Sequence, residues 1–251
     1  MPSLPRHHLT QPRETGIMIT VRNHLSHILL FIAFLSATLV GIGRAEEYPE
    51  LPRVYIQTAY NPPAGGQRYQ ASTSAAFRAA LTAAQPGDII ELAAGVTFTG
   101  PFTLPNKTAG SGWIYIVSSA YASLPAPCSR VTPADAAHMP KIVVKAGSGG
   151  AVATAAGAHH YRFVGIEFAP VDGNFVYNIV QIGNGETSAA TQPNNIVIDR
   201  CYVHGDPAAG SRRGVLMNGA YIAVIDSHVS CLLYTSPSPR DRTRSRMPSS
   251  A

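Results

Sequence analysis

Residues 72–98 read STSAAFRAALTAAQPGDIIELAAGVTF, and how this stretch is parsed decides the fold. Ala76, Phe77, Ala80, Leu81 and Ala84 recur at helical spacing on one face, and Ser72, Thr73 or Ser74 can supply the N-cap. Pro86-Gly87-Asp88 then stops the helix, since proline cannot continue the ladder and glycine favours a turn. Beyond it, Ile89-Ile90-Glu91-Leu92 and Val96-Thr97-Phe98, separated by Gly95, have the β-branched and aromatic make-up of short strands. The period changes from helical to extended within one segment. An ordinary helix–strand junction of an α/β domain would look the same locally, so the neighbouring chain must decide.

Downstream, short apolar runs recur at Phe102-Thr103-Leu104, Trp113 to Val117, Lys141 to Lys145, Tyr161 to Phe168, Phe175 to Ile182, Asn195 to Val203 and Ala220 to Val229. Gly, Asn, Pro or Asp separates them, and no convincing helix lies between. That pattern disfavours a doubly wound sheet and favours an all-β repeat. The motif A-L-x-x-A-x-P-G-D-x-I-x-L-x-x-G-x-x-F, from Ala80 to Phe98, resembles the opening of secreted right-handed parallel β-helix proteins of the pectate lyase-like superfamily. The resemblance implies an all-β, right-handed, single-stranded parallel β-helix with an N-terminal capping α-helix, the helix covering apolar residues and strand edges that an open rung would expose.

Internal repetition agrees. Phe163-x-x-Ile166-x-Phe168, Ile198-x-x-Cys201-x-Val203 and Ile225-x-x-His228-x-Ser230 share one spacing at intervals of 35 and 27 residues, with the first, fourth and sixth positions expected to face inward. His228 and Ser230 are poor core residues, so the third copy is the weakest. Val-Ile-Asp occurs at Val197 to Asp199 and Val224 to Asp226, so Asp199 and Asp226 are expected one above the other.

The ends read differently. Arg22 and His24 precede an apolar run from Ile28 to Ile42, followed by Gly43-Arg44-Ala45, which suits cleavage before Glu46. Residues 1–45 are thus expected to be a signal peptide, with Met18 an alternative start, and the apolar run is short for a membrane span. An uncleaved anchor is the alternative. Residues 46–71 form a Pro-, Gly- and Tyr-rich lead-in with an extended piece at Val54-Tyr55-Ile56, and residues 72–230 the β-helix. Residues 231–251 resemble two constant blocks of translated sequencing adapter around Arg242-Thr243-Arg244, and are expected to be a non-native tail on a fragment whose native sequence breaks off near Ser230.

Trimming changes the charge balance. The chain has 19 basic and 14 acidic residues, but Arg240, Arg242, Arg244, Arg246 and Asp241 belong to the tail, and Arg6, Arg13, Arg22, Arg44 and Glu14 to the leader. What remains is 11 basic against 12 acidic residues, which gives no support for binding nucleic acid or, once the leader is gone, a membrane. The expected protein is a secreted, extracellular or periplasmic monomer. Cys128 and Cys201 remain there; export permits a disulfide between them, while a loop setting for one and a strand for the other favours separate thiols.

The resembling family implies polysaccharide binding across one strand face, often with cleavage of uronate sugars by β-elimination. That chemistry requires Ca²⁺ or a basic residue to offset the sugar carboxylate before Lys, Arg, His or Tyr moves a proton. Asp199 and Asp226 are candidate Ca²⁺ ligands on neighbouring coils; bend aspartates that accept backbone hydrogen bonds are the plainer alternative. Arg212-Arg213, read as a loop between coils, could clamp a sugar carboxylate, and His204 could serve as acid or base. Asp199, Arg213, Asp226 and His204 are therefore the candidate catalytic residues. His159-His160 is a weak metal signal, and Trp113, Tyr115, Tyr161 and Tyr202 could stack on sugars or pack laterally. Phosphate loops, dinucleotide fingerprints, nucleophile elbows and zinc motifs do not occur. In the resembling lyases the catalytic basic residues usually come from later coils, so no catalytic set carries over. Two functions stay open, a lyase or hydrolase on a uronate-containing polysaccharide and a non-catalytic surface, adhesion or carbohydrate-binding scaffold.

Overall fold

The computed structural model describes residues 55–230 and Leu232. The expected signal peptide, and the expected tail apart from Leu232, lie outside the described residues. Helix α1, Ser74–Ala83, is the one α-helix among them. Fifteen strands surround it in the order β1 (Arg68–Ala71), then after α1 β2 (Ile89–Leu92), β3 (Thr97–Thr99), β4 (Phe102–Leu104), β5 (Ile114–Ser118), β6 (Lys141–Val144), β7 (Val152–Thr154) and β8 (His159–Val164). There follow β9 (Glu167–Pro170), β10 (Val176–Ile182), β11 (Asn194–Asp199), β12 (Tyr202–His204), β13 (Ser211–Met217), β14 (Ala220–Ile225) and β15 (His228–Ser230).

The strands fall into three sheets. The first runs β1-β2-β5-β8-β11-β14, the second β3-β6-β9-β12-β15 and the third β4-β7-β10-β13, and every strand pair is parallel. The chain visits the first, second and third sheet in turn and returns to the first one strand lower. This is a right-handed parallel β-helix, the hand that parallel crossovers adopt. Ile89 pairs with Tyr115, Tyr115 with Arg162, Arg162 with Val197 and Val197 with Ala223, so successive coils take 26, 47, 35 and 26 residues. The longest carries the insertion 119–140 between β5 and β6, with 3-10 turns at Tyr121–Ser123 and Pro133–His138.

Alternation fills the core. Ile90, Leu92, Ile116, Tyr161, Phe163, Ile196 and Ile198 from the first sheet meet Phe98, Ile142, Phe168 and Val203 from the second and Phe102, Leu104, Val152, Val180 and Ile182 from the third. Helix α1 closes the upper end. Thr73 is the N-cap, its hydroxyl accepting from the Ala76 amide at 3.1 Å, while the Ser74 hydroxyl accepts instead from the Thr99 amide at 2.8 Å. Phe77 is fully buried, its ring 4.5 Å from that of Phe102 and 6.0 Å from that of Phe98. Helix propensity and cap chemistry form the element; burial of Phe77, Ala80 and Leu81 orients it over the first coil.

The bend between the first and second sheets is a single residue in the left-handed region, Gly165 (φ 67°), Arg200 (φ 48°) and Asp226 (φ 50°) in successive coils. These bends split three apolar runs that read as continuous in the sequence into β8 and β9, β11 and β12, and β14 and β15. Phe163 aligns with Ile198 and Phe168 with Val203 as the repeat requires.

Three expectations are corrected. In the last coil Val224, not Ile225, lies beneath Ile198, and Ile225 lies beneath Asp199, so Asp226 is not stacked on Asp199. The duplicated Val-Ile-Asp had suggested an interval of 27 residues; the observed 26 places Ile222 and Val224 inward, and a one-residue slip would have reversed every side chain of the strand. Arg212 and Arg213 sit in β13, not in a loop. Tyr55 and Ile56 are not in a strand, whereas Arg68–Ala71 further along the lead-in pairs with β2. Cys128 and Cys201 are free thiols, one exposed and one buried in the core.

Candidate functional site

The coils present three outer faces, and each holds some of the candidate residues. On the first sheet, Arg162 and Asp199 point outward yet are buried, with 3% and 1% of their side chains accessible. Arg162 donates to Asp199 Oδ2 from Nη2 (2.8 Å) and Nε (3.2 Å), and to the carbonyls of Ala59 (2.7 Å) and Thr58 (2.9 Å). Arg200 donates to Asp199 Oδ1 from Nε (3.0 Å), to Oδ2 from Nη2 (3.3 Å) and to the Pro125 carbonyl from Nη1 (3.2 Å). Both carboxylate oxygens are therefore engaged by guanidinium groups. The Tyr60 ring lies over Arg200 at 4.8 Å and Arg162 at 5.4 Å. Asp226 is a loop anchor, its Oδ2 accepting from the Cys128 amide at 2.7 Å and its carbonyl from the Val131 amide at 2.9 Å. Asp199 and Asp226 do line one cavity of about 470 Å³, together with Tyr60, Cys128 and Arg162. Neither arginine at this site was singled out by the sequence, although Arg162 in an otherwise apolar strand was a visible signal for a buried counter-ion.

The outer face of the second sheet carries Lys141, Glu167, Tyr202 and His228 in one register column, with His204 beside it. Glu167 Oε1 meets His204 Nε2 at 2.8 Å and Lys141 Nζ at 3.1 Å. Burial pushes the Glu167 carboxyl up, but the hydrogen bonds from His204 and Lys141 outweigh it and hold the group below its ordinary value. The other imidazole nitrogen faces the Gly205 carbonyl at 3.1 Å, and the ring stacks on Tyr202 at 4.3 Å. Next to it, Asp206 accepts from the amides of Ala209 (2.6 Å), Gly173 (2.6 Å) and Ala208 (2.9 Å), which hold its carboxyl below the usual range and fix the turn into β13.

The third face is open. Along it Thr103, Ala153, Gln181 and Leu216 share one outward register row. Asn178 pairs with Arg213, whose Nη1 donates to Asn178 Oδ1 at 3.3 Å, and Asn178 Nδ2 donates to Gln181 Oε1 at 3.3 Å. Tyr177 is 63% exposed and meets Phe175 edge-on at 5.3 Å. These side chains border a cleft of about 290 Å³ lined by Gly147, Gly149, Phe175, Tyr177, Asn178 and Gln181. Both loop glycines have left-handed backbone, φ 77° and φ 80°, and a Cβ there would meet nothing within 4 Å, so conformation and not crowding selects them. Of the sequence candidates only the pair Arg212 and Arg213 belongs to this face, and of the two Arg213 joins the hydrogen-bonded group. The aromatic pair and the amides are not singled out by the sequence because the run Phe175 to Ile182 reads as core.

The remaining candidates are structural. His159 and His160 hydrogen-bond to each other at 2.9 Å, and burial, then the charge of His159, lowers the His160 pKa. Trp113 packs edge-on to His160 at 5.2 Å. Tyr161 points into the core and donates to the Pro105 carbonyl at 2.7 Å, its hydroxyl pKa raised by burial. Tyr115 donates to the Asn61 carbonyl at 2.8 Å. No group of three or more His, Cys, Asp or Glu side chains is arranged to hold a metal ion among the described residues.

No family model matches the chain, and no curated protein matches it. Among solved structures it is similar to an alginate lyase from Paenibacillus sp. str. FPU-7, with 18% identity and a TM-score of 0.39 over 65% of this chain and 57% of that one. The chain thus spans little more than half the length of that enzyme.

Proposed function

We propose that the outer face of the third sheet is a groove for a polysaccharide and that the chain belongs to a lyase or hydrolase acting on a uronate-containing polymer. The observation that carries this reading is the placement of an aromatic pair, half-buried Phe175 and exposed Tyr177, beside the linked amides and guanidinium of Asn178, Gln181 and Arg213. The flat carbon-bound face of a pyranose stacks on an aromatic ring, its hydroxyls suit side-chain amides, and a carboxylate suits a guanidinium that offers two parallel donors. Arg213 uses one nitrogen on Asn178, which leaves the rest of its fork for a ligand.

In the eliminative version, the guanidinium offsets the sugar carboxylate and so acidifies the proton on the adjacent ring carbon. A base takes that proton, the C–H electron pair becomes the new ring double bond, and the neighbouring C–O bond breaks with its pair on oxygen, which is then protonated. Tyr177 is the proton-carrying side chain in the cleft.

The test is retention of the protein on pectate, alginate and glycosaminoglycan, together with ultraviolet detection of unsaturated uronate products. Wild type should be retained by at least one of these polymers, and Arg213→Ala and Tyr177→Ala should each weaken retention about tenfold, the loss of one charge-assisted or stacking contact. Equal retention of both variants and wild type would remove the third face from consideration. Retention without any unsaturated or reducing-end product would favour the non-catalytic scaffold.

A further inference from the structure

Residues 57–61 cross the outer face of the first sheet as a strap, held by Tyr60 packing on Tyr115, by the Tyr115 hydroxyl donating to the Asn61 carbonyl, and at its centre by buried charge. Arg162 binds two successive strap carbonyls, Thr58 and Ala59, while its other nitrogens bind Asp199. The same carboxylate binds Arg200, which reaches in the opposite direction to the Pro125 carbonyl of the 119–140 insertion. Tyr60, from the strap, lies over both guanidinium groups. Asp226 ties the same stretch of the insertion to the last described coil through the Cys128 and Val131 amides. One buried carboxylate therefore joins the strap, the insertion and the middle coils.

Such a joint is two-sided. Arg162 and Arg200 are each about 3% accessible, and among the described residues Asp199 is the anionic partner of both. If the strap lifts, the Arg162 donors that held Thr58 and Ala59 lose their acceptors, the aromatic cover over Arg200 goes with them, and water enters a site whose ion pairs depend on exclusion of water. The cavity of about 470 Å³ between Gln57–Tyr60 and Pro127–Cys128 leaves the joint unpacked on one side, so opening there meets little resistance from neighbouring side chains.

We propose that the strap and residues 124–131 of the insertion form one latch that opens as a unit while the coils stay folded. The insertion, through Leu124, Val131 and Met139, also backs Tyr202 of the second face, so release of the strap would loosen the wall beside the Glu167–His204 pair. The latch is a conformational device independent of whether the third face binds sugar.

Hydrogen exchange on the full chain tests it. Tyr60→Ala removes the aromatic cover and its edge-on packing on Tyr115, while the residues inside the coil, Ile198 and Phe163 among them, are untouched. It should speed exchange at least tenfold both at strap amides such as that of Ala59 and at the Cys128 and Val131 amides, while the strand amides of Ile198 and Phe163 keep wild-type rates. Asp199→Asn, which keeps the shape of the side chain, should do the same more strongly. Faster exchange in the strap with unchanged Cys128 and Val131 rates, or no change in either, would overturn the coupling. Should Asp199→Asn unfold globally, the Tyr60→Ala result alone decides.

Discussion

Replacing Phe77 by alanine tests the architecture most directly, because the coils are covered at their upper end by one helix and that helix by one large side chain. Phe77 has no accessible surface and meets the rings of Phe98 and Phe102 in the first coil. Truncation removes its transfer free energy and leaves a cavity between helix and rung, for which about 3–5 kcal/mol is the usual cost of a buried Phe→Ala change. The surroundings are poorly placed to collapse, since the ring sits on strands held by parallel ladders and under a helix fixed at Thr73. Arg78 adds a second tie, donating to the Pro101 carbonyl at 2.6 Å and lying 4.5 Å over the Phe102 ring, so the helix should stay in place over an enlarged void. In a domain of this size the loss corresponds to a fall in Tm of about 6–20 °C. Urea unfolding followed by circular dichroism and by emission of Trp113, the sole tryptophan, gives the number. Phe77→Leu should cost less than half as much. A loss below about 1 kcal/mol for Phe77→Ala, on transitions that coincide by both probes, would refute the idea that the helix is the structural cover of the stack.

Glu167 has its folded carboxyl held below the ordinary value by His204 and Lys141, so it contributes stability above the glutamate range that is lost as pH falls through its depressed folded value. Glu167→Gln should flatten that part of the acid limb of a Tm-versus-pH curve, and an unchanged limb would show the ladder to be energetically silent. Cys201 is fully buried and burial pushes its thiol up to about 12, so in a Cys231→Ser background only Cys128 should react with a thiol reagent until denaturant is added. Two reactive thiols in the folded protein would place Cys201 outside the core.

The helix and the coil stacking were legible because both rest on periodicity. Phe77 and Leu81 at helical spacing, Pro86-Gly87 as a stop, and Phe163, Ile198 and Phe168, Val203 at matched positions depend on local pattern that folding preserves. The last coil was legible only to within one residue. Val197-Ile198-Asp199 and Val224-Ile225-Asp226 look alike, yet burial selects Ile222 and Val224, and identity between triplets says nothing about which face a strand buries. Arg200 and Asp226 are the true equivalents, both left-handed at the bend, a backbone property invisible in two residues of opposite charge. The site residues were less legible still. Asp199 looked like a ligand because its partner Arg162 and the strap that covers the pair are distant in sequence and meet only in the coil, while the adjacent Arg200 reads as a bend residue until its side chain is seen to fold back on the carboxylate.

The three outer faces differ in what covers them, and this difference is why the third is the face proposed for the polysaccharide. A polymer lying across the coils needs several consecutive strands open to solvent. The first sheet fails in its middle coils, where residues 57–61 lie over Arg162 and Asp199 and leave both inaccessible. The second is narrowed by the insertion after β5, whose Leu124, Val131 and Met139 pack against Tyr202, and its central carboxylate is already bound by Lys141 and His204. On the third, Thr103, Tyr177, Arg212 and Arg213 are exposed across coils from the first to the fourth, and the row Thr103, Ala153, Gln181, Leu216 repeats at the strand spacing of about 4.8 Å. Insertion length thus has a functional reading. The chain spends its long connection shielding the second face and its lead-in shielding the first, which leaves the face bearing Arg213 as the surface with both the charge and the reach to follow an extended acidic chain.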